Sequence, residues 1–312
     1  FMLSACNFYM PIFEEALDAY GLPLELRYLP IIESALNPSA VSRAGASGLW
    51  QFMIGTGKIY GLESNSLVDE RRDPIKATWA AARYLKEMYD IYGDWNLVIA
   101  AYNCGPGTIN KAIRRANGET DYWKIYNYLP KETRGYVPAF IAANYVMTYY
   151  CDHNICPMET NIPASTDTVQ VNKNLHFEQI ADLCNVPLDQ IKSLNPQYKK
   201  QMIPGDSKPY TLRLPIDAIS TFIDKQDTIY AHRADELFRN RKTVAVKEIT
   251  PSTRKTTTAV AGKGKLTYYT IKSGDTLSTI AGKYGVTIKD IQRWNGMSNT
   301  KIAAGKRLKI YK

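Results

Sequence analysis

Asp73-Pro74-Ile75-Lys76-Ala77-Thr78-Trp79-Ala80-Ala81-Ala82-Arg83-Tyr84-Leu85-Lys86-Glu87-Met88-Tyr89-Asp90-Ile91-Tyr92-Gly93 holds the start, body and end of one helix. Asp73 offers an N-cap carboxylate, and Pro74 at the first helical position loses nothing by lacking an N–H. Ile75, Trp79, Ala82, Tyr84, Leu85 and Met88 recur at helical spacing, and Gly93 closes the run. The same punctuation repeats on either side. Pro106 can start a helix with Ile109, Ala112 and Ile113 on one face and Lys111, Arg114 and Arg115 on the other. Pro130 can start a long one through Tyr136, Phe140, Ala143 and Met147, and Gly21-Leu22-Pro23 opens another that runs from Leu24 to Leu36. Alternation of period two is nearly absent from Ile12 to Tyr150, so this half is expected to be mostly α.

The chain has 312 residues, 22% charged and 45% hydrophobic, which suits two or three soluble globular domains. No stretch reaches the roughly 18 consecutive apolar residues of a membrane span. Phe1-Met2-Leu3-Ser4-Ala5-Cys6 is too short for a secretory signal and lacks a basic lead-in, so membrane attachment or export would need a segment before Phe1. Cys6, Cys104, Cys151, Cys156 and Cys184 are too scattered for a disulfide framework and form no CxxC zinc pattern; whether Cys151 and Cys156 pair is open. His153, His176 and His232 lie far apart, which argues against a histidine-built metal site; neither a metal nor a cofactor is expected. Residues 1–160 hold 14 Lys and Arg against 17 Asp and Glu, a net charge of −3, whereas residues 161–312 hold 25 against 13, a net charge of +12. The basic half suits a polyanion, either nucleic acid or an anionic envelope polymer, and charge alone does not choose.

Glu33 follows Leu29-Pro30-Ile31-Ile32 and precedes Ala35-Leu36-Asn37-Pro38. An acid so flanked is either a helix-end glutamate in a surface salt bridge or a carboxyl at the lip of a cleft. Burial disfavours its ionised form and raises its pKa, as a general acid working near neutral pH requires. Three later segments share one pattern: Gly48-Leu49-Trp50-Gln51-Phe52, Ala101-Tyr102-Asn103-Cys104-Gly105-Pro106-Gly107 and Glu132-Thr133-Arg134-Gly135-Tyr136-Val137-Pro138. In each, a side chain able to bond a sugar hydroxyl or acetamido group (Gln51, Asn103, Tyr136) stands beside an aromatic ring or a glycine. The 22 tyrosines suit a groove in which rings stack on pyranose faces. Each segment alone would also serve as a turn or a packed helix end.

Taken in order, Glu33-Ser34 and these three segments resemble the motifs of the family 1 lytic transglycosylases, the soluble-lytic-transglycosylase-like enzymes related to goose-type lysozyme. The resemblance covers about residues 12–150 and is strongest to the branch of that family carrying C-terminal LysM modules. Trp50 stands where many relatives have methionine, and Cys104 falls at a variable position. The resemblance implies a lysozyme-like catalytic domain over residues 1–155. It implies that Glu33 protonates the glycosidic oxygen between N-acetylmuramic acid and N-acetylglucosamine. Glu33 then accepts a proton from the muramoyl 6-hydroxyl, which closes a 1,6-anhydro ring without consuming water. Ser34 would orient the acid or the substrate, and Gln51 and Asn103 would bind the N-acetyl group and nearby hydroxyls. Tyr102 would shape the groove or pack in the core, and Tyr136 would reach Glu33 or the acetamido group. No second carboxylate belongs to the motifs. Of those nearest in sequence, Asp73 reads as a helix cap and Glu70 as part of a surface ion cluster with Arg71 and Arg72, leaving Glu63 and Asp69.

Residues 169–214 and 269–310 align at an offset of one hundred: Ile180 with Ile280, Val186 with Val286, Ile191 with Ile291, Asn195 with Asn295, Gly205 with Gly305. Each copy reads strand, helix, helix, strand. The second copy, with Gly274-Asp275-Thr276, Trp294 and Asn295, resembles a LysM domain at 266–312, which implies binding to N-acetylglucosamine-containing glycan. Its groove would lie between Gly274, Asp275 and Thr276 and the Asn299–Ala303 loop; the same turn would also cap the following helix. The first copy, at 165–216, has Asn174-Leu175-His176 instead and reads as a degenerate LysM-like module with His176 on the surface. Residues 217–265 read as a weakly helical segment followed by a basic flexible linker. The expected fold is therefore multidomain, a mostly α lysozyme-like domain followed by two small α+β modules.

The expected partner is peptidoglycan, in the bacterial cell envelope, periplasmic, with outer-membrane anchoring through a segment before Phe1 left open and the chain a monomer. A lysozyme-type hydrolase and a non-catalytic peptidoglycan-binding scaffold are the alternatives. A nucleic-acid partner is not expected, because the basic half lacks the aromatic-basic motifs of the usual modules.

Overall fold

The computed structural model describes residues 2–158, 162–163, 165–238, 266–272, 275–297 and 302–311. It divides into two compact units, Phe1–Ile249 and Thr250–Lys312. The expected linker from Asn240 to Lys265 lies outside the described residues, as do Gly274 and residues 298–301 of the second module.

The first unit begins with α1 (Met2–Ala19), a short 3-10 segment (Leu24–Tyr28) and α2 (Leu29–Ser34). The single helix expected from Leu24 to Leu36 is thus split. Pro30 at the start of α2 cannot donate an N–H to the preceding turn, and α2 ends where Ala35 turns left-handed. Then come α3 (Ile54–Ile59), α4 (Pro74–Tyr92), α5 (Trp95–Cys104), α6 (Pro106–Arg115), α7 (Tyr122–Ile125) and α8 (Lys131–Thr148). Asp73 caps α4 by accepting from the backbone N–H of Ile75 and Lys76, and Gly93 ends it at φ 62°, as the sequence predicts. The expected apolar stripe is corrected in one respect. Ile75 and Trp79 are exposed, and α4 instead buries Ala77, Ala81, Leu85 and Met88 with Thr78. Small side chains on that face let α1 and α5 approach closely. Trp50, fully buried, donates its indole N–H to the Thr78 hydroxyl at 2.9 Å and meets Phe13 edge-on.

The rest of this unit is the first repeat: β1 (Thr166–Val171), β2 (Asn174–His176), α9 (Phe177–Cys184), α10 (Leu188–Leu194), β3 (Met202–Pro204), β4 (Tyr210–Pro215), then α11 (Ile216–Asp224), α12 (Gln226–Ala231) and α13 (Ala234–Leu237). β1 pairs antiparallel with β4 and β2 with β3. Ala218, Phe222 and Ile229 of α11 and α12 enter the same core, so the helical part of 217–265 packs on the module. His176 is not the surface residue expected; it is partly buried, and its Nδ1 caps α9 by accepting from the Glu178 N–H, in the place where Thr276 stands in the second repeat.

The second unit holds β5 (Leu266–Thr270), α14 (Leu277–Tyr284), α15 (Ile288–Asn295) and β6 (Arg307–Tyr311), with β5 and β6 antiparallel. The duplication is visible in one side chain. Asn195 donates to the Ile191 and Arg213 carbonyls and accepts from the Arg213 N–H. Asn295 does the same with Ile291 and Lys309. This asparagine fastens the second helix of each module to its last strand. The five cysteines are all unpaired thiols, Cys151 and Cys156 among them. No helix among the described residues is long and apolar enough to cross a membrane.

Candidate active site

Glu33 stands in the last turn of α2, partly buried. Its place is fixed by an unusual chain reversal: Ala35 (φ 52°) and Leu36 (φ 58°) are consecutive left-handed residues without a glycine. Each such residue costs on the order of 1 kcal/mol, which the complete burial of Leu36 offsets. Ser34 lies within 2.9 Å of both the Pro30 and Leu49 carbonyls, so its hydroxyl joins the end of α2 to the 45–52 loop. It is placed to orient the acid through the backbone.

The phenol of Tyr136, on the second turn of α8, donates to Glu33 Oε1. Burial is the main influence on Glu33 and raises its pKa; the Tyr136 bond opposes the rise and the nearby negative charge of Glu132 adds to it, with the result at about 7. Tyr136 and Tyr102 are themselves pushed well above the ordinary phenol range by burial first and then by the Glu33 carboxylate. Both phenols therefore stay protonated as donors. Tyr102 uses its hydroxyl on the Trp50 carbonyl at 2.7 Å, and its ring stands 5.6 Å from Tyr84, which continues to Tyr60 at 5.2 Å. Tyr102 accordingly both packs and holds the loop.

Gln51 adopts φ 48° and donates through Nε2 to the Gly48 carbonyl at 2.8 Å and to Ala40 at 3.3 Å. Asn103, at the end of α5, accepts from the Thr133 hydroxyl of α8 at 2.9 Å. Each carboxamide is thus anchored at one end. The sequence-selected Glu33, Ser34, Tyr102 and Tyr136 are joined directly or through the 49–50 carbonyls, and Gln51 and Asn103 are the immediate chain neighbours of Trp50 and Tyr102.

The four other carboxylates considered from sequence are committed elsewhere. Asp73 caps α4, and Asp69 pairs with Arg71. Glu63 binds Lys208 and the Tyr210 hydroxyl. Glu70 is the clearest correction: it is not part of a surface cluster but 5% exposed, accepting from the Glu63 N–H at 2.8 Å and from Lys76 at 2.5 Å. Sequence reasoning missed Glu132 as the acid that acts electrostatically on Glu33, and Thr133 as the anchor of Asn103, although both stand in the fourth motif. No group of three or more metal-ligating side chains occurs among the described residues.

In the second unit, Asp275 accepts from the Tyr269 hydroxyl at 2.7 Å and the Lys272 N–H at 2.8 Å, bonds that hold its carboxyl below the usual range. Thr276 caps α14. Both therefore shape the turn, and Gly274 lies outside the described residues.

Residues 10–125 match the family model described as the transglycosylase SLT domain. Residues 165–231 match the lytic transglycosylase MltD LysM-like domain, and 269–310 match the LysM domain. The chain thus carries an SLT transglycosylase domain followed by two LysM-type modules, the architecture that its motifs resemble. Membrane-bound lytic murein transglycosylase D of Escherichia coli (strain K12) is 33% identical over 296 residues, covering 93% of this chain and 60% of that protein. The chain therefore spans less than two thirds of that relative. The soluble lytic murein transglycosylase of the same strain is 33% identical over 124 residues, covering 38% of this chain and 19% of that protein. Among solved structures, the 70 kDa soluble lytic transglycosylase of Escherichia coli is 29% identical, covers 46% of this chain and 24% of its own, and has a TM-score of 0.40.

Proposed function

We propose that this chain is a peptidoglycan lytic transglycosylase acting in the bacterial cell envelope, with Glu33 as its only acid and base. The observation that carries the reading is the state of Glu33: a partly buried carboxyl with its pKa raised to about 7, held by Tyr136, while Glu63, Asp69, Glu70 and Asp73 are all bonded elsewhere. A two-carboxylate glycosidase needs a second acid across the sugar ring; a single acid that gives and then takes a proton does not. Protonated Glu33 donates to the glycosidic oxygen between N-acetylmuramic acid and N-acetylglucosamine as that bond breaks. The carboxylate so formed accepts the proton of the muramoyl 6-hydroxyl, whose oxygen bonds to the anomeric carbon. Gln51 and Asn103 would hold the acetamido group and nearby hydroxyls, with Tyr102 and Ser34 fixing the loop and the acid. The names of the relatives, a membrane-bound and a soluble lytic murein transglycosylase, support the substrate class. Mass spectrometry of fragments released from purified peptidoglycan tests the reaction. Ends lighter by one water are expected; ordinary reducing ends would make the protein a hydrolase.

The rate should depend on pH in a definite direction. The acid must be protonated, so kcat/KM should fall as pH rises through about 7. Glu132→Gln removes a negative charge that raises the Glu33 pKa, so its falling limb should move to lower pH. A pH–rate profile on a short soluble glycan measures this, and an unmoved limb contradicts the electrostatic assignment.

The second LysM-type module suggests how an insoluble polymer is held. Joining a weak glycan binder to the enzyme raises the local substrate concentration. Deleting residues 240–312 should leave turnover of short soluble glycans unchanged and weaken binding to purified sacculi. Equal sacculus binding in a pelleting assay contradicts this role.

A further inference from the structure

The first module does not hang from the catalytic domain. Its 195–201 loop forms a backbone contact with residues 67–69: the Asp69 N–H donates to the Gln197 carbonyl at 2.9 Å, the Lys199 N–H donates to the Leu67 carbonyl at 2.8 Å, and Val68 bridges Tyr198. Leu67 and Val68 are buried in the module's own core, and Lys199 reaches the Asn65 carbonyl at 2.8 Å. Allowing for the offset of one hundred, Lys199 corresponds to Asn299, the first residue of the loop expected to line the glycan groove of the second module. In the first module Lys199 is engaged by the protein's own chain, through its backbone at Leu67 and its side chain at Asn65.

Two residues further on, Arg71 carries the contact inward. It is 5% exposed, grips both oxygens of Asp69 at 2.9 and 2.8 Å, and with Nη1 holds the Gly45 and Phe52 carbonyls at 2.9 Å each. One guanidinium thereby clasps both ends of the 45–52 loop, and Arg72 adds a bond to Ser47. That loop presents the Leu49 carbonyl to Ser34, the Trp50 carbonyl to Tyr102, and Gln51 itself. A guanidinium satisfies four acceptors in a fixed plane, which an ammonium cannot copy.

We propose that the first LysM-type module is a clamp on the active site rather than a glycan recruiter, and that Arg71 is the positioning residue that couples it to the loop bearing Gln51. Only the turnover part of the test rests on the transglycosylase reading. The test uses the full chain as wild type, Arg71→Lys and Lys199→Met, the second lying on the module itself. Two quantities are read at a temperature well below each variant's Tm: kcat on a short soluble glycan, where recruitment to a polymer plays no part, and hydrogen exchange at the Gly48 and Gln51 amides. Arg71→Lys should lower kcat at least about tenfold with faster exchange at both amides, and Lys199→Met should move both readouts in the same direction by less. Exchange at wild-type rates in either folded variant overturns the proposal whatever the turnover does. So does a kcat within twofold of wild type in Arg71→Lys, which would leave Arg71 a residue of stability alone. A wild-type protein without turnover on any glycan contradicts the transglycosylase reading instead, and exchange then decides the clamp by itself.

Discussion

Glu33→Gln is expected to lower turnover of purified peptidoglycan by at least about a thousandfold, the upper part of the range for loss of a general acid. The amide has nearly the shape of the carboxyl and can still accept from Tyr136, so fold and glycan binding should persist. It can neither give nor take a proton at the pH where the carboxyl does both. The four acids nearest in sequence offer no substitute, being locked into Lys76, Lys208, Arg71 and the α4 cap, and Glu132, exposed on α8, acts on Glu33 through its charge. Turnover is read on sacculi, glycan binding by pelleting, and the fold by circular dichroism. A well-folded Glu33→Gln with turnover within tenfold of wild type removes Glu33 from its role.

The second large effect falls on a residue without a side chain. Gly48 adopts φ 90°, and a Cβ there would stand 1.7 Å from the Arg71 carbonyl oxygen and 2.6 Å from its carbon. Neither partner is a flexible tip; both belong to the backbone of Arg71, a buried residue. Gly48→Ala must therefore displace the 45–52 loop or the 69–72 segment. We expect a loss of at least about 3 kcal/mol in stability, since left-handed strain and a backbone collision add. Denaturant unfolding measures it. Activity should fall as well, because the same loop carries Gln51 and the carbonyls that hold Ser34 and Tyr102. A loss below 1 kcal/mol would show that the loop is loose and does not fix the site.

Local signals made the helical half legible. Asp73, Pro74 and Gly93 mark both ends of α4 because capping is chemistry of a few adjacent residues. The four motifs in order marked Glu33, Gln51, Asn103 and Tyr136, and the repeat at one hundred residues marked both modules through residues such as Asn195 and Asn295 that bond within the module. What was not legible depends on distant partners. Ala35, Leu36 and Gln51 are left-handed because packing and the loop demand it, against their own preference. Glu70 reads as a surface acid until the Glu63 N–H and Lys76 close on it, and Ile75 and Trp79 read as core until α1 and α5 select the alanine face of α4. The docking of the module had a faint trace in Leu67-Val68, two apolar residues in a polar segment, but nothing local says what they enter.

The account rests on an acid that stays protonated far above the ordinary carboxyl range. Carbon-13 NMR of the glutamate side-chain carboxyls, with the Glu33→Gln protein supplying the assignment, measures this directly. The Glu33 signal should titrate with a midpoint near 7. A midpoint between about 4 and 5, where an unperturbed glutamate titrates, would mean that the carboxyl is solvated and ionised at neutral pH and does not act as the acid described here.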